Sequence, residues 1–441
     1  MAVRYDDALP RLVRLCESQP HFGAVERACV VRDLRGQLRL VCEARPASVE
    51  PDWEDLARVL TDQLQGWFAG PILRPSSPRL EEARTARHLL QQAEPWPEGW
   101  PGGEPDALGG PSQIPDRWCA LRRVLAKEAW LDAGPAAPPW PLLPSRRPVL
   151  VSFHSFKGGV GRTTALVLAA RQLAAAGHGV LLVDLDLEAP GLAPLLGVDP
   201  EAGVIDALLQ HAATGRLDTD GLVQEVDARG VPLHVISAGR LGWSHLEKLA
   251  RLDYLHTGGH AHSPVEAALH ELLRRVRVTE RAPDGTSQAV QPGLILIDAR
   301  AGLHDLAGLA LHGLAHVDVL VSRANEQSRQ GLDLTLRALG RRCPDARLVL
   351  VQTFVPENGR EAAIEAWRSE LYRMLKTHFY DRSASDADDV GIADAHAPHH
   401  AVAVPDLGAT GAPPDLASAN EVLLGHTVWR ELARRIWEQT S

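Results

Sequence analysis

The sequence predicts a doubly wound, mostly parallel α/β domain over residues 148–441, preceded by a small α+β domain. Two observations carry this. Beyond Pro148, short continuous apolar runs alternate with glycine-bearing loops and helical stretches, as strands covered by helices on both faces do. Before residue 94, two apolar-rich strand candidates and an amphipathic helix stand apart, separated from the rest by a Pro/Gly/Trp-rich stretch.

In residues 1–93, Ala28 to Arg32 and Gln37 to Cys42 are the strand candidates, joined by Asp33-Leu34-Arg35-Gly36 as a hairpin. A helix should follow, because Trp53, Leu56, Leu60, Leu64 and Trp67 recur on one face; Asp52 caps its start and Gly70-Pro71 ends it. Residues 94–147 read as a linker. Pro, Gly and Trp crowd 95–103 and again 134–144, which excludes a helix or central strand there, and one helix is expected between them, from Asp116 to Trp130. The stretch either drapes over the neighbouring domain or serves as a proline-rich ligand for another protein.

From Pro148 the strand candidates are Val149 to Phe153, Gly179 to Leu185, Leu233 to Ser237, Leu294 to Asp298, Val317 to Ser322 and Leu348 to Gln352, with Ala401 to Val404 a seventh. A helix from Thr164 to Ala176 ends at Gly177.

The net charge of -10 argues against broad attraction to nucleic acid or an anionic membrane. No basic stretch followed by an apolar core opens the chain, and no apolar run approaches the roughly 20 residues of a membrane span. The widely spaced Cys16, Cys29, Cys42, Cys119 and Cys343 read as reduced thiols in a cytoplasm. Only Lys127, Lys157, Lys248 and Lys376 are lysines; arginine supplies nearly all other basic side chains.

The chemistry concentrates after the first strand of the second domain, at Lys157-Gly158-Gly159-Val160-Gly161-Arg162-Thr163-Thr164. Glycines let the backbone turn tightly and aim successive N–H groups inward as an anion cradle. The following helix adds its positive dipole end. Thr163 is placed to bind Mg²⁺ beside the phosphates. Asp184 and Asp186 end the next strand, and Asp298 ends a later one, followed by Ala299-Arg300-Ala301-Gly302. Ligands of open parallel sheets sit beyond the carboxyl ends of the strands, so these elements converge on one crevice.

These residues resemble the deviant phosphate-loop ATPases that include MinD, ParA and nitrogenase iron protein. Their loop reads KGGxGK[ST]; this one reads KGGVGRTT, as in a subgroup that carries KGGVGR, DLEAPGL after the second strand and a D-x-R-x-G switch element. The resemblance covers about Pro148 to Ser441, and the first third resembles the N-terminal extensions of that subgroup. It implies an ATP and Mg²⁺ site and, in the ATP state, a homodimer acting on an unidentified protein partner. Lys157 then reaches the partner subunit's phosphates, Thr163 binds Mg²⁺ and Asp298 holds it through water. Asp186 positions the attacking water, Asp184 supports the loop, and the Gly302 amide senses the γ-phosphate. Gln352, Thr353 and Pro356, with Pro405 and Asp406, are positioned to flank the base.

Arg162 departs from the family lysine. Either it replaces lysine and leaves slow hydrolysis intact, or the chain binds nucleotide without turning it over. The subgroup's association with bacterial signalling or conflict systems suits an adaptor of the second kind. A dethiobiotin synthetase-like enzyme on the same scaffold is disfavoured by Lys157 and the switch element. Arg300 either acts as an arginine finger or anchors the switch loop through a carboxylate such as Asp305. His256, His260 and His262, and His396, His399 and His400, lack zinc-ligand spacing. Val422, Val428, Trp429, Leu432, Ile436 and Trp437 give a C-terminal helix whose balanced charges suit core packing rather than a membrane surface.

Overall fold

The computed structural model describes residues 3–96, 115–123, 126–131, 134–142, 148–256, 264–281, 286–382, 390–406, 416 and 421–440. The chain divides into two compact units, Met1–Leu125 and Ala126–Ser441.

The first unit is a four-stranded sheet carrying helices. β1 (Val25–Arg32) pairs antiparallel with β2 (Leu38–Ala44), and Asp33 Oδ1 accepts the Arg35 and Gln37 amides across the turn. The helix Trp53–Leu64 starts where Asp52 accepts the Glu54 and Asp55 amides, and it buries Leu56, Leu60 and Leu64. It stops at Leu64; a 3₁₀ turn, Gln65–Trp67, carries the last aromatic. Helices Tyr5–Glu17 and Leu80–Gln92 also belong to the unit.

Two expectations for 94–147 need correction. β3 (Glu94–Pro95) and β4 (Trp118–Arg122) belong to this sheet, in the order β2-β1-β4-β3. Asp116 to Trp130 is therefore not one helix. Trp118, Cys119 and Ala120 are buried against β1 in parallel register, and among the described residues of this stretch only Glu128–Leu131 is helical. Strand pairing overrode the local helical pattern.

The second unit is built on an eight-stranded sheet. Its strands are β5 (Val149–His154), β6 (Val180–Asp184), β7 (Gln224–Asp227), β8 (Pro232–Ile236), β11 (Leu294–Asp298), β12 (Val317–Arg323), β13 (Arg347–Val355) and β14 (Val402–Pro405). β9 (Val278–Arg281) and β10 (Ser287–Val290) form a separate antiparallel ribbon. The order is β14-β13-β12-β5-β11-β6-β8-β7, parallel throughout except β7 against β8. This is a doubly wound α/β fold.

Strand alternation divides the core. Val149, Val151 and Phe153 pack with helices Arg162–Ala175 and Val428–Glu438, whereas Leu150, Leu181 and Val183 pack with Val204–Thr214 and Pro264–Arg275. The C-terminal helix buries Val428, Trp429, Leu432 and Ile436, and its half-exposed Trp437 stacks on His178 at 3.9 Å. No helix among the described residues is long and apolar enough to cross a membrane.

Residues 126–142 lie on this unit where described. Arg342 donates to the Ala129 carbonyl at 2.6 Å, and His316 joins two segments by accepting the Leu150 amide at 2.9 Å and contacting the Trp140 carbonyl at 2.8 Å.

Candidate nucleotide site

β5 delivers the chain into the glycine loop at the middle of the sheet. Gly159 and Gly161 have φ of +73° and +82°, a left-handed conformation in which a side chain would be strained. Gly161 caps the helix Arg162–Ala175, whose N-terminal dipole end faces the loop. Lys157, Gly158 and Gly159 are exposed, while Val160 is buried in the core and fixes the loop from below. A second anchor comes from Phe156. It lies so close to the helix Glu326–Arg342 that a Cβ on Gly331 would sit 1.9 Å from its Cγ.

Register brings the carboxylates together. Asp298 of β11 is aligned with Asp184 of β6 on one side and with Phe153 of β5 on the other. Thr163 Oγ1 donates to Asp298 Oδ2 at 2.7 Å. Arg162, 8% exposed, turns its side chain into the same place: Nε donates to Asp298 Oδ1 at 2.6 Å and Nη2 to Asp186 Oδ2 at 2.9 Å. Asp184 accepts the amides of Asp186, Gly191 and Leu192, and so holds the loop that carries Asp186.

Asp186 and Asp298 thus share one guanidinium, with Asp184 aligned beside Asp298. Burial pushes the Asp184 carboxyl up to about 8, reinforced by Asp298, against the three amides that favour its anion. Burial also raises Asp298, while Arg162 and Thr163 pull it down. Burial opposes the charge on Arg162, but Asp298 and Asp186 outweigh it and hold the guanidinium protonated. His154, at the end of β5, is driven to about 3 by burial and then by Arg162, so it stays neutral. Asp186 Oδ1 is buried without a hydrogen-bond partner. The acid excess, this orphaned oxygen and the Thr163 hydroxyl fit a hard divalent cation.

The segment after Asp298 folds back on the loop: the Ala299 amide donates to Phe153 O at 3.0 Å and the Gly302 amide to Ser155 O at 2.9 Å. Arg300 pairs with Glu188, and His304 Nε2 is 3.4 Å from the same carboxylate. The carboxylate suggested for Arg300 was Asp305, which instead lies 3.7 Å from Lys127. Nothing near Arg300 in the sequence distinguishes the two; Glu188 sits beyond Asp186 on the neighbouring loop and reaches Arg300 only in the folded sheet.

The residues expected at the base lie at the far ends of β13 and β14. Gln352 and Thr353 are buried, with Thr353 Oγ1 donating to Ser322 O at 3.2 Å; Pro356 and Asp406 are exposed and Pro405 is buried. Phe354 was missed. A shift in the pairing of β13 with β14 leaves it at φ +55°, partly exposed, with the Arg323 guanidinium 4.9 Å from its ring centroid. No local pattern announces such a bulge. The side chains of His256, His260 and His262 lie outside the described residues. His399 contacts the Tyr380 hydroxyl and the Ile392 carbonyl, and no metal-holding group of three His, Cys, Asp or Glu occurs among the described residues.

A glycine loop between a central parallel strand and a helix, with a hydroxyl and acids at the neighbouring strand ends, defines the phosphate-loop class of α/β proteins. Residues 151–380, more than half of the chain, match the CobQ/CobB/MinD/ParA nucleotide binding domain, and the chain belongs to that family. No curated protein matches it. Among solved structures, pnob8 ParA is 18% identical, with 66% of this chain and 99% of that one covered and a TM-score of 0.43. The Pyrococcus furiosus cell division ATPase MinD is 18% identical, covering 66% and 98%, at 0.38. Cobyrinic acid a,c-diamide synthase from Mycobacterium smegmatis, with bound ATP analog and magnesium, is 22% identical, covering 53% and 83%, at 0.35.

Proposed function

We propose that the chain is a Mg²⁺-ATP-dependent switch that dimerises in its ATP state, hydrolyses ATP slowly, and regulates or positions a macromolecular partner. The observation that carries this reading is the meeting of Thr163, Asp186 and Asp298 beside the loop that follows β5. When bound, the cation would neutralise charge on the phosphates and their leaving oxygen. The loop from Lys157 to Thr164 holds the phosphates, Thr163 and Asp298 hold the ion, and Asp184 positions the strand end. Asp186 orients the attacking water, and Lys157, exposed at the loop, is free to reach a second copy. Gly302 responds to the γ-phosphate by exchanging its bond to Ser155. Phe354 is a stacking surface for the base alongside Gln352 and Pro356. The five free cysteines suit a cytoplasmic setting, and the acidic balance suits a protein partner over nucleic acid or membrane.

One observation favours a second reading, a nucleotide-binding adaptor without turnover: Arg162 bridges Asp186 and Asp298, the residues that would serve water and metal. Phosphate release measured with Asp186→Ala separates the two. The switch reading expects slow release in the wild type, lost in the variant, with nucleotide binding retained. A wild type that binds Mg²⁺-ATP and releases no phosphate supports the adaptor. Unchanged release in the variant removes Asp186 from its role.

A further inference from the structure

The segment that opens the second unit grips the loop following Asp298. Trp130 is 8% exposed, and its Nε1 donates to the His304 carbonyl at 2.7 Å. The ring lies against Gly308, where a Cβ would meet Nε1 at 2.8 Å, and 5.9 Å from the ring of His154 at the end of β5. Lys127 stands 3.7 Å from Asp305. The other side of the segment is fixed to the body of the unit, because the Ala129 carbonyl takes the Arg342 guanidinium at 2.6 Å and contacts His312 Nδ1 at 2.8 Å.

Between Trp130 and the nucleotide loop runs a continuous set of contacts. His304 shares Glu188 with Arg300, and Glu188 lies two residues beyond Asp186. Gly302, two residues before His304, is bonded to Ser155 at the root of the loop. A movement of Gly302 toward a γ-phosphate therefore acts on a backbone that, two residues on, is held by Trp130 through the His304 carbonyl. Backbone carbonyls buried against a donor do not change partner without consequence for that donor.

We infer that residues 126–131 form a strap that reads the nucleotide state of the 299–305 loop. The inference rests on the proposed nucleotide site. Energy enters through one buried hydrogen bond and one half-exposed ion pair, which is the scale of a local opening equilibrium rather than of global unfolding.

Amide hydrogen exchange on the full chain, with and without Mg²⁺ and a non-hydrolysable ATP analogue, tests it. Nucleotide occupancy is read in parallel by calorimetry. We expect exchange in peptides covering 126–131 to change roughly threefold to tenfold on saturation. In Trp130→Phe, which keeps an aromatic ring but loses the N–H, the change should fall to less than half. Lys127→Ala, at a half-exposed position, should reduce it also and guards against a folding defect in the first variant. Nucleotide bound with unchanged exchange in the wild type overturns the strap alone, as does a full response in both variants. No nucleotide bound by folded wild type overturns the site reading and the strap together.

Discussion

At the scale of single residues, the site is governed by the imbalance between buried acids and one buried cation. Breaking a buried pair by removing one partner costs about 3–5 kcal/mol, because the other charge is left in a poor solvent. Arg162→Ala should therefore lower metal-free stability by about 3 kcal/mol, read from urea unfolding, and Mg²⁺ with nucleotide should restore more of it than in the wild type. A variant as stable as the wild type would show that the guanidinium compensates nothing. The raised Asp184 carboxyl gives a second expectation with a definite sign. Its folded value, about 8, lies above its ordinary one, so its stabilising contribution is full at low pH and lost as pH rises through about 8. Between pH 6.5 and 8 the metal-free protein should lose up to ~1.4 kcal/mol per pH unit from this proton. Asp184→Asn should flatten that slope, and the same slope in both proteins would assign the proton elsewhere.

At the scale of elements, the loop is held between the core and a neighbouring helix. Val160 is buried beneath it, and Phe156 fills the space left by the missing side chain at Gly331. Gly331→Ala forces Phe156 off its seat, and overpacking of this kind costs about 1–3 kcal/mol. We expect weaker nucleotide binding, about tenfold, with the fold retained by circular dichroism; Phe156→Ala on top of it should relieve the clash and recover part of the stability. Unchanged affinity in Gly331→Ala would mean that Phe156 does not shape the loop. The central strands were legible because their apolar runs are continuous and their ends carry Asp184, Asp186 and Asp298. Strand β4 was not, since a five-residue run just after Pro115 becomes a strand only through pairing with β1, distant in sequence. The same limit hid three further features. Arg162 turns toward two acids, Glu188 takes Arg300, and Phe354 projects from a bulge; each depends on strands meeting in space.

At the scale of the whole molecule, the exposed lysine of the loop carries the dimer proposal. Lys157 is retained in a chain with three other lysines, although arginine fills most basic positions. Lys157→Ala should block Mg²⁺-ATP-dependent dimerisation in sedimentation velocity while leaving a folded monomer, and a variant that dimerises like the wild type would remove the lysine from the interface. All of these readings depend on triphosphate and cation meeting at the end of β5. The most direct measurement is calorimetric titration of the folded full-length chain with ATP, with and without Mg²⁺, beside Thr163→Ala. The account predicts saturable binding with Mg²⁺, weakened at least tenfold in the variant by loss of the hydroxyl that meets Asp298. Binding indifferent to Mg²⁺ and to Thr163, or no binding at all, would contradict it.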